Sequence, residues 1–388
     1  MAPNARHDMP SATLEPCKTG IVKFTNCRLL RDNLLTNGDL WVSSVTGKIV
    51  SSQTSFYEHL LVPDEVIDLG GRILSPGFIE CQLNGAYGFN FSAKPLDGSD
   101  YSVHEPDLYK AVLPHLGPSG NLRVADDGAE SLGAHVEGPF LHPLKNGIHN
   151  PNVFRKAQSF SDLEECYGRE NLTAPNPGEQ ARVRMITAAP ELGNMTGLIS
   201  EIVARGIIFS IGHTDATYEE ASAAVSAGAT MITHLFNAMK PLHHRNPGVF
   251  GVLGNPDGLK KPFFGIIADG IHLHPTTIKI ALNAHPAGFI LVTDAMHLMG
   301  LPDGSYRWAN GNDFNNIVKS GTRLVIEGSD TLAGSSITLL DCVNNVVAWT
   351  GTSVPDALRS VTSTPARMLG LEGVKGALKT VQTPILSS

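Results

Sequence analysis

Cysteine is scarce in this chain. Five cysteines (Cys17, Cys27, Cys81, Cys166, Cys342) are scattered over 388 residues, and no pair has CxxC spacing. An odd, dispersed set argues against a disulfide framework and for a reducing compartment, read here as the cytoplasm. Charge is also sparse: 17% of residues are charged, which speaks against general disorder. No basic excess exists, because the net charge is −8. Nonspecific nucleic-acid binding is therefore not expected, and an anionic substrate would need a local basic pocket. No apolar run reaches membrane-spanning length, so no membrane partner is expected. The opening MAPNARHDMPSATLEP lacks the apolar core of a secretion signal. A GxGxxG dinucleotide fingerprint after the first strand is missing too.

What the chain does have is a large apolar fraction, 42%, enough for a sizeable core. The most informative stretch runs from Phe209 to Gly251. It reads as strand, helix, strand, with His213 ending the first strand and His234 carried by the second. Thr217-x-x-Glu220 fits a capping box. Ala221, Ala224 and Val225 give the helix an apolar face, and Gly228 suits its end. Two buried parallel strands joined in this way send both imidazoles out of one end of a sheet, where α/β enzymes carry their chemistry.

The same grammar recurs along the chain. Residues 1–17 read as a disordered polar tail. Residues 18–74 hold short β-like runs (GIVKFTNCRLL, GDLWVSS, GKIVSSQ, EVIDLGGRIL) parted by Gly and Asn turns. After Pro76, seven apolar runs each end in a polar residue: GFIECQLN, LGAHVEG, RMITAAPE, IIFSIGH, ATMITH, FFGIIAD and FILVTD. Helical stretches such as NMTGLISEIVARG and PTTIKIALNAH lie between them. Alternation of this kind implies a parallel sheet. It predicts an α/β chain with a (β/α)₈ barrel in which one strand is unaccounted for. The gap is Phe91 to Gly133, which offers one short helix around Asp107–Leu113 and no buried strand.

The strand-end set Glu137, His213, His234 and Asp294 carries the chemistry. Two histidines and a carboxylate suit a divalent metal with open positions for water. Asp294 could then serve as general base, which together implies metal-assisted hydrolysis of an amide-like bond. Around this set stand weaker candidates, each with an ordinary structural reading when taken alone. Arg245, in the loop His243-His244-Arg245, could clamp an anion in a forked geometry. His272 could join that clamp. Asn237 and Ala238 could offer a side-chain amide and backbone groups, and His149 could polarise a carbonyl. SDTLAGSS (329–336) reads as a Gly/Ser turn able to approach a ligand closely.

Taken together, PGFIECQLNGAYGFNFS, GAHVEGPFLHPLKNGIHNP, GHTDATYEEA, AGATMITHLFNAM, HHRNPGVFG, IADGIHLHP, LVTDAM, TLAGSS and STPARMLGL resemble the N-acetylglucosamine-6-phosphate deacetylase family of the amidohydrolase superfamily. The resemblance covers most of residues 20–375, with the motifs in family order. It implies a barrel beside a small β-sandwich, a homodimer, and release of acetate from a small sugar phosphate. By the same resemblance, Glu137, His213 and His234 are metal ligands and Asp294 is the catalytic acid/base. His149 would hold the acetyl carbonyl. Asn237, Ala238, Arg245, His272 and Leu332-Ala333-Gly334 would contact the sugar phosphate. Where many amidohydrolases carry His-x-His in the first strand, this chain has Gln82-Leu83-Asn84. Neutral amides are poor ligands, so one divalent ion per subunit is expected, Zn²⁺ by preference.

Two blocks depart from the family pattern. The second strand–helix unit of the barrel is lacking between Phe91 and Gly133, and the ending TVQTPILSS does not resemble the family's closing strands. The expected organisation is therefore 18–74 as the N-terminal part of a small β-sandwich, 75–365 as the barrel, and 366–388 as a truncated remnant of the β-domain. A barrel without one unit exposes strand edges and voids, so low stability is expected. The alternatives are an inactive or weakly active sugar-phosphate binder, or an amidohydrolase of another N-acyl or imide substrate.

Overall fold

The computed structural model describes residues 18–92, 106–119, 128–256, 260–310 and 313–380. The tail expected at 1–17 lies outside them. The chain divides into two compact units: residues up to Pro76 with those from Ala377 onward, and Gly77–Gly376.

The first unit is built on one five-stranded sheet. β1 (Ile21–Arg31) is its centre. β2 (Leu34–Ser43) pairs antiparallel with it, β3 (Ile49–Val50) pairs with β2, and β4 (Glu65–Asp68) and β5 (Ile73–Leu74) run parallel to β1. The apolar face gathers Cys27, Leu29 and Leu40, with Leu74 and Leu378 packed against them. A second layer of the expected sandwich is not among the described residues.

The second unit opens with a two-stranded ribbon, β6 (Gly85–Ala86) and β7 (Phe89–Asn90). Its main feature is a six-stranded parallel sheet: β8 (Ala134–Glu137), β9 (Val183–Ala188), β10 (Ile208–Ile211), β11 (Met231–Ile232), β12 (Phe263–Ile267) and β13 (Phe289–Val292), adjacent in chain order. All four residues of β13 are buried, as are five of the six in β9. Burial on both faces is why these strands read as continuous apolar runs instead of alternating ones. The first apolar run joins this sheet at its end, through a parallel bridge from Leu83 to Ala295. Asp294 N–H donates to the Gln82 carbonyl at 3.0 Å there. The result is an α/β fold with a half-barrel of parallel strands.

The crossovers follow the sequence closely. Helix α1 (Pro106–Val112) is the short helix expected in the 91–133 gap, and no strand is present among the described residues of that gap. α2 (Phe160–Tyr167) and α3 (Met195–Ala204) precede α4 (Tyr218–Ala227), which links β10 to β11. Thr217 Oγ1 accepts from Glu220 N–H at 3.3 Å, and Glu220 Oε2 accepts from Thr217 N–H at 2.8 Å, completing the capping box. α5 (Pro275–Ala284) links β12 to β13.

Two features differ from the sequence reading. After β13 the chain forms a four-stranded antiparallel sheet from β14 (Gly304–Asn310), β15 (Asp313–Ser320), β16 (Arg323–Ile326) and β17 (Leu332–Ser335). The supposed turn at 329–336 is therefore half strand, Leu332–Ser335, and Ala333 packs in a cluster with Trp308, Ile317 and Leu324. Second, α6 (Leu339–Thr350), α7 (Val354–Arg359) and α8 (Ser363–Met368) all belong to this unit. Ala366, Met368 and Leu369 share a core cluster with Ile290 and Val292, so the unit extends past residue 365.

Loss of the capping box should be felt in the crossover it starts. Thr217→Ala is expected to cost about 1 kcal/mol, read as a lower urea midpoint; an unmoved midpoint would contradict the role given to this cap.

Candidate active site

Regular ladder geometry stops just short of the polar strand ends. β10 ends at Ile211, β11 at Ile232 and β13 at Val292. Beyond those points His213, His234 and Asp294 adopt φ values of 48°, 25° and 48°. Positive φ is uncommon for residues other than glycine and persists only where the surroundings enforce it.

Three side chains converge. His213 Nε2 lies 3.1 Å from Glu137 Oε1, and His234 Nε2 lies 3.0 Å from the same oxygen. The two Nε2 atoms are 3.1 Å apart. His213 Nδ1 stands 2.7 Å from the Lys145 carbonyl, which can only accept. Its Nδ1 therefore carries the proton, and a neutral ring turns an Nε2 lone pair toward the Glu137 carboxylate. Two electron-rich atoms at that distance repel unless positive charge lies between them. A tetrahedral zinc with bonds of about 2.0–2.1 Å separates its ligands by about 3.3 Å, close to this triangle. The donor set thus fits a divalent metal, and Glu137, His213 and His234 could hold one.

Without such an ion, protons carry part of the charge. Burial works against ionisation of Glu137, but His234 and His213 outweigh it and hold the carboxyl well below its usual range. Burial likewise disfavours the charged form of His234, yet the Glu137 carboxylate prevails and raises its pKa to about 9. Asp294 is pushed up to about 6, first by burial and then by the charge of Glu137. Of the two carboxyl groups, Asp294 is thereby the better proton acceptor near neutral pH.

The first strand also supplies side chains to this cluster. Gln82 Nε2 donates to both oxygens of Glu137 at 3.2 Å and reaches Asp294 Oδ1 at 3.4 Å. Asn84 Nδ2 donates to Asp294 Oδ1 at 2.7 Å. Two neutral amides therefore hold both carboxylates. The Gly138 carbonyl, next to Glu137, accepts from Tyr167 Oη at 2.7 Å and from Tyr109 Oη at 3.1 Å, so α2 and α1 both brace this strand end.

Most of the remaining candidates lie close by. His149 Nε2 is 3.8 Å from Glu137 Oε2, and its ring is 4.8 Å from that of His213. Asn237 Nδ2 donates to the His234 carbonyl at 3.3 Å. Thr214 N–H donates to the Ala238 carbonyl at 3.1 Å, tying the two histidine loops together. His272 Nδ1 is 2.6 Å from Asp269 Oδ2, an orienting partner the sequence reading overlooked. Leu332-Ala333-Gly334 runs in β17, where Ser335 N–H donates to the Asp294 carbonyl. A Cβ at Gly334 would lie 2.6 Å from Met296 Cγ, so only glycine fits that approach. Arg245 is not drawn into the cluster: it is exposed, and its guanidinium lies 2.9 Å from His244 Nε2.

Comparison with known proteins agrees with this arrangement. The Amidohydrolase family profile matches residues 178–380. An N-acetylglucosamine-6-phosphate deacetylase of Danio rerio is 39% identical over 92% of this chain and 90% of its own. The protein of that name from Homo sapiens is 38% identical over 92% and 89%. A solved structure of a mutant N-acetyl-D-glucosamine-6-phosphate deacetylase from Mycobacterium smegmatis, in complex with N-acetyl-D-glucosamine-6-phosphate, is 27% identical. It superposes with a TM-score of 0.73 over 93% of this chain and 92% of that one.

Coordination requires His234 to be neutral. With its pKa at about 9, it must give up a proton when an ion binds near neutral pH. Calorimetric titration of Zn²⁺ into metal-free protein, in buffers of different ionisation enthalpy, should therefore show release of about one proton per ion. Affinity should rise with pH up to that pKa. Binding without proton release would contradict the charge arrangement described.

Proposed function

Because the chain belongs to the N-acetylglucosamine-6-phosphate deacetylase family, within the amidohydrolases, we propose that it hydrolyses the acetamide of N-acetylglucosamine 6-phosphate to glucosamine 6-phosphate and acetate. The observation that carries this reading is the meeting of Glu137, His213 and His234 within a triangle of edges 3.0–3.1 Å, with Asp294 held beside it by Asn84. The inactive-binder alternative is not favoured, since Glu137, His213, His234 and Asp294 stand together.

One divalent ion, proposed as Zn²⁺, would be held by Glu137, His213 and His234. When bound it would supply Lewis acidity and ease the ionisation of water. The rest of the chemistry falls to the chain. Asp294 takes a proton from the attacking water and passes it to the departing amine, so water and amide become acetate and free amine. Asn84 and Gln82 hold the Asp294 carboxylate toward the reacting water. His149 donates to the acetyl carbonyl oxygen as it gains negative charge. Asn237, Ala238, His272 and Leu332-Ala333-Gly334 contact the sugar phosphate, and Arg245 meets the phosphate from its exposed loop.

The reading extends to the scaffold. We infer a (β/α)₈ barrel lacking its second strand–helix unit, beside the small β-domain. Support comes from His135 of β8, whose Nδ1 reaches the Cys81 carbonyl of the first run at 2.8 Å across the place where that unit would stand. The working form is proposed to be a cytoplasmic homodimer; among the described residues no helix is long and apolar enough to cross a membrane.

Acetate release from N-acetylglucosamine 6-phosphate, measured beside unphosphorylated N-acetylglucosamine, tests the substrate. Asp294→Asn should leave metal content unchanged and lower kcat by at least about 10²-fold. Full activity in that variant would remove Asp294 from its role, and equal rates on the two sugars would point to another N-acyl amide.

A further inference from the structure

Beneath the cluster runs a second line of polar side chains. His135 Nδ1 is 2.8 Å from the Cys81 carbonyl, and its Nε2 is 2.7 Å from Thr187 Oγ1. Thr187 Oγ1 is 2.6 Å from Thr233 Oγ1, which is 2.5 Å from Ser210 Oγ. Thr187 and Ser210 are 0% exposed and Thr233 is 1% exposed, so these hydroxyls depend on one another for hydrogen bonds.

Their directions follow from chemistry. A carbonyl only accepts, so His135 Nδ1 donates to Cys81. A neutral ring then accepts at Nε2 from Thr187. Having spent its proton, Thr187 accepts from Thr233, and Thr233 accepts from Ser210. Four hydrogen bonds point the same way, from β10 to the first strand, and such chains reinforce one another.

Every proposed ligand adjoins this chain. His135 lies two residues before Glu137, on the same strand face. Thr187 pairs in register with Glu137. Thr233 immediately precedes His234. Gly212 immediately precedes His213, and a Cβ there would lie 2.7 Å from Thr187 Cγ2 and 2.8 Å from Thr233 Cβ. Glycine thus leaves the space in which the two threonines meet. At the far end, Cys81 precedes Gln82, which donates to Glu137.

We propose that His135 is a positioning residue for the metal centre: it ties the strand of Glu137 to that of Gln82 and, through Thr187 and Thr233, fixes the backbone that presents His234. The proposal rests on the metal reading given above. It assigns His135 no contact with substrate. What it supplies is the alignment that lets three donors meet at one point, as outer-shell partners of metal ligands do elsewhere.

The test uses the full chain and Zn²⁺ alone as probe, with affinity read by competition against a chromophoric chelator and unfolding of the metal-free protein read in parallel. His135→Ala and Thr187→Val should each weaken Zn²⁺ binding by about 10- to 100-fold. His135→Asn keeps a donor near the Nδ1 position and should recover part of the loss. Gly212→Ala, which forces the threonines apart, should weaken binding in the same direction. KM for the sugar phosphate should stay within about twofold while kcat of the partly loaded enzyme falls. Should His135→Ala fail to fold, Thr187→Val, close in shape to the native residue, decides the matter. Folded variants that bind Zn²⁺ as tightly as the parent, with only a lower unfolding midpoint, would overturn the proposal and leave the metal reading intact. A parent chain that binds no Zn²⁺ would overturn the metal reading and this inference with it.

Discussion

Two imidazole nitrogens and a carboxylate oxygen stand about as close as non-bonded atoms can, with too few protons among them to make each contact attractive. His213 Nδ1 stands against the Lys145 carbonyl, which can only accept, and its Nε2 faces Glu137. Like-signed density held this tightly raises the energy of the fold unless positive charge is placed at the centre. Much of the surrounding structure can be understood as what it takes to hold that arrangement. Gln82 and Asn84 donate amide protons to the carboxylates, two tyrosine hydroxyls fix the Gly138 carbonyl, and the backbone at His213, His234 and Asp294 takes up positive φ. Such strain persists only where neighbouring interactions over-determine it.

The scaffold explains why these residues are far apart in sequence and adjacent in space. Each lies at the same end of a neighbouring parallel strand, and the apolar bodies of β9 and β13 keep those ends level. The polar line from Ser210 to Cys81 lies below the proposed ligand set and crosses the same strands. Hydroxyls buried between strands would be costly alone. Joined in series they become a brace, and their place one residue before His234 and two before Glu137 gives the brace something to aim.

The β10–α4–β11 unit was plain, because a capping box, a glycine stop and two apolar runs all agreed. Glu137, His213, His234 and Asp294 are visible as polar residues ending apolar runs. Sequence marks Gln82 and Asn84 only as poor metal ligands; that they donate to carboxylates on other strands is a tertiary fact with no local signal. His135 was passed over inside AHVEG, although period-two spacing from Glu137 placed it on the same face. The β14–β17 sheet was missed because its short strands mix polar and apolar residues, and Gly334 made a strand look like a turn. That residues 366–376 belong with the larger unit has no local signal, since it rests on Met368 and Leu369 packing beside Ile290. The gap at 91–133 was legible as a break in rhythm, and α1 within it sends Tyr109 to the site.

The central claim is that Glu137, His213 and His234 meet on one cation. Its most direct test is a crystal structure of the chain loaded with Zn²⁺, with anomalous scattering recorded on both sides of the zinc edge. The account predicts one strong peak per chain, at about 2.0–2.2 Å from Glu137 Oε1, His213 Nε2 and His234 Nε2. A peak bound elsewhere, or one that leaves any of these three side chains turned away from the ion, would contradict it.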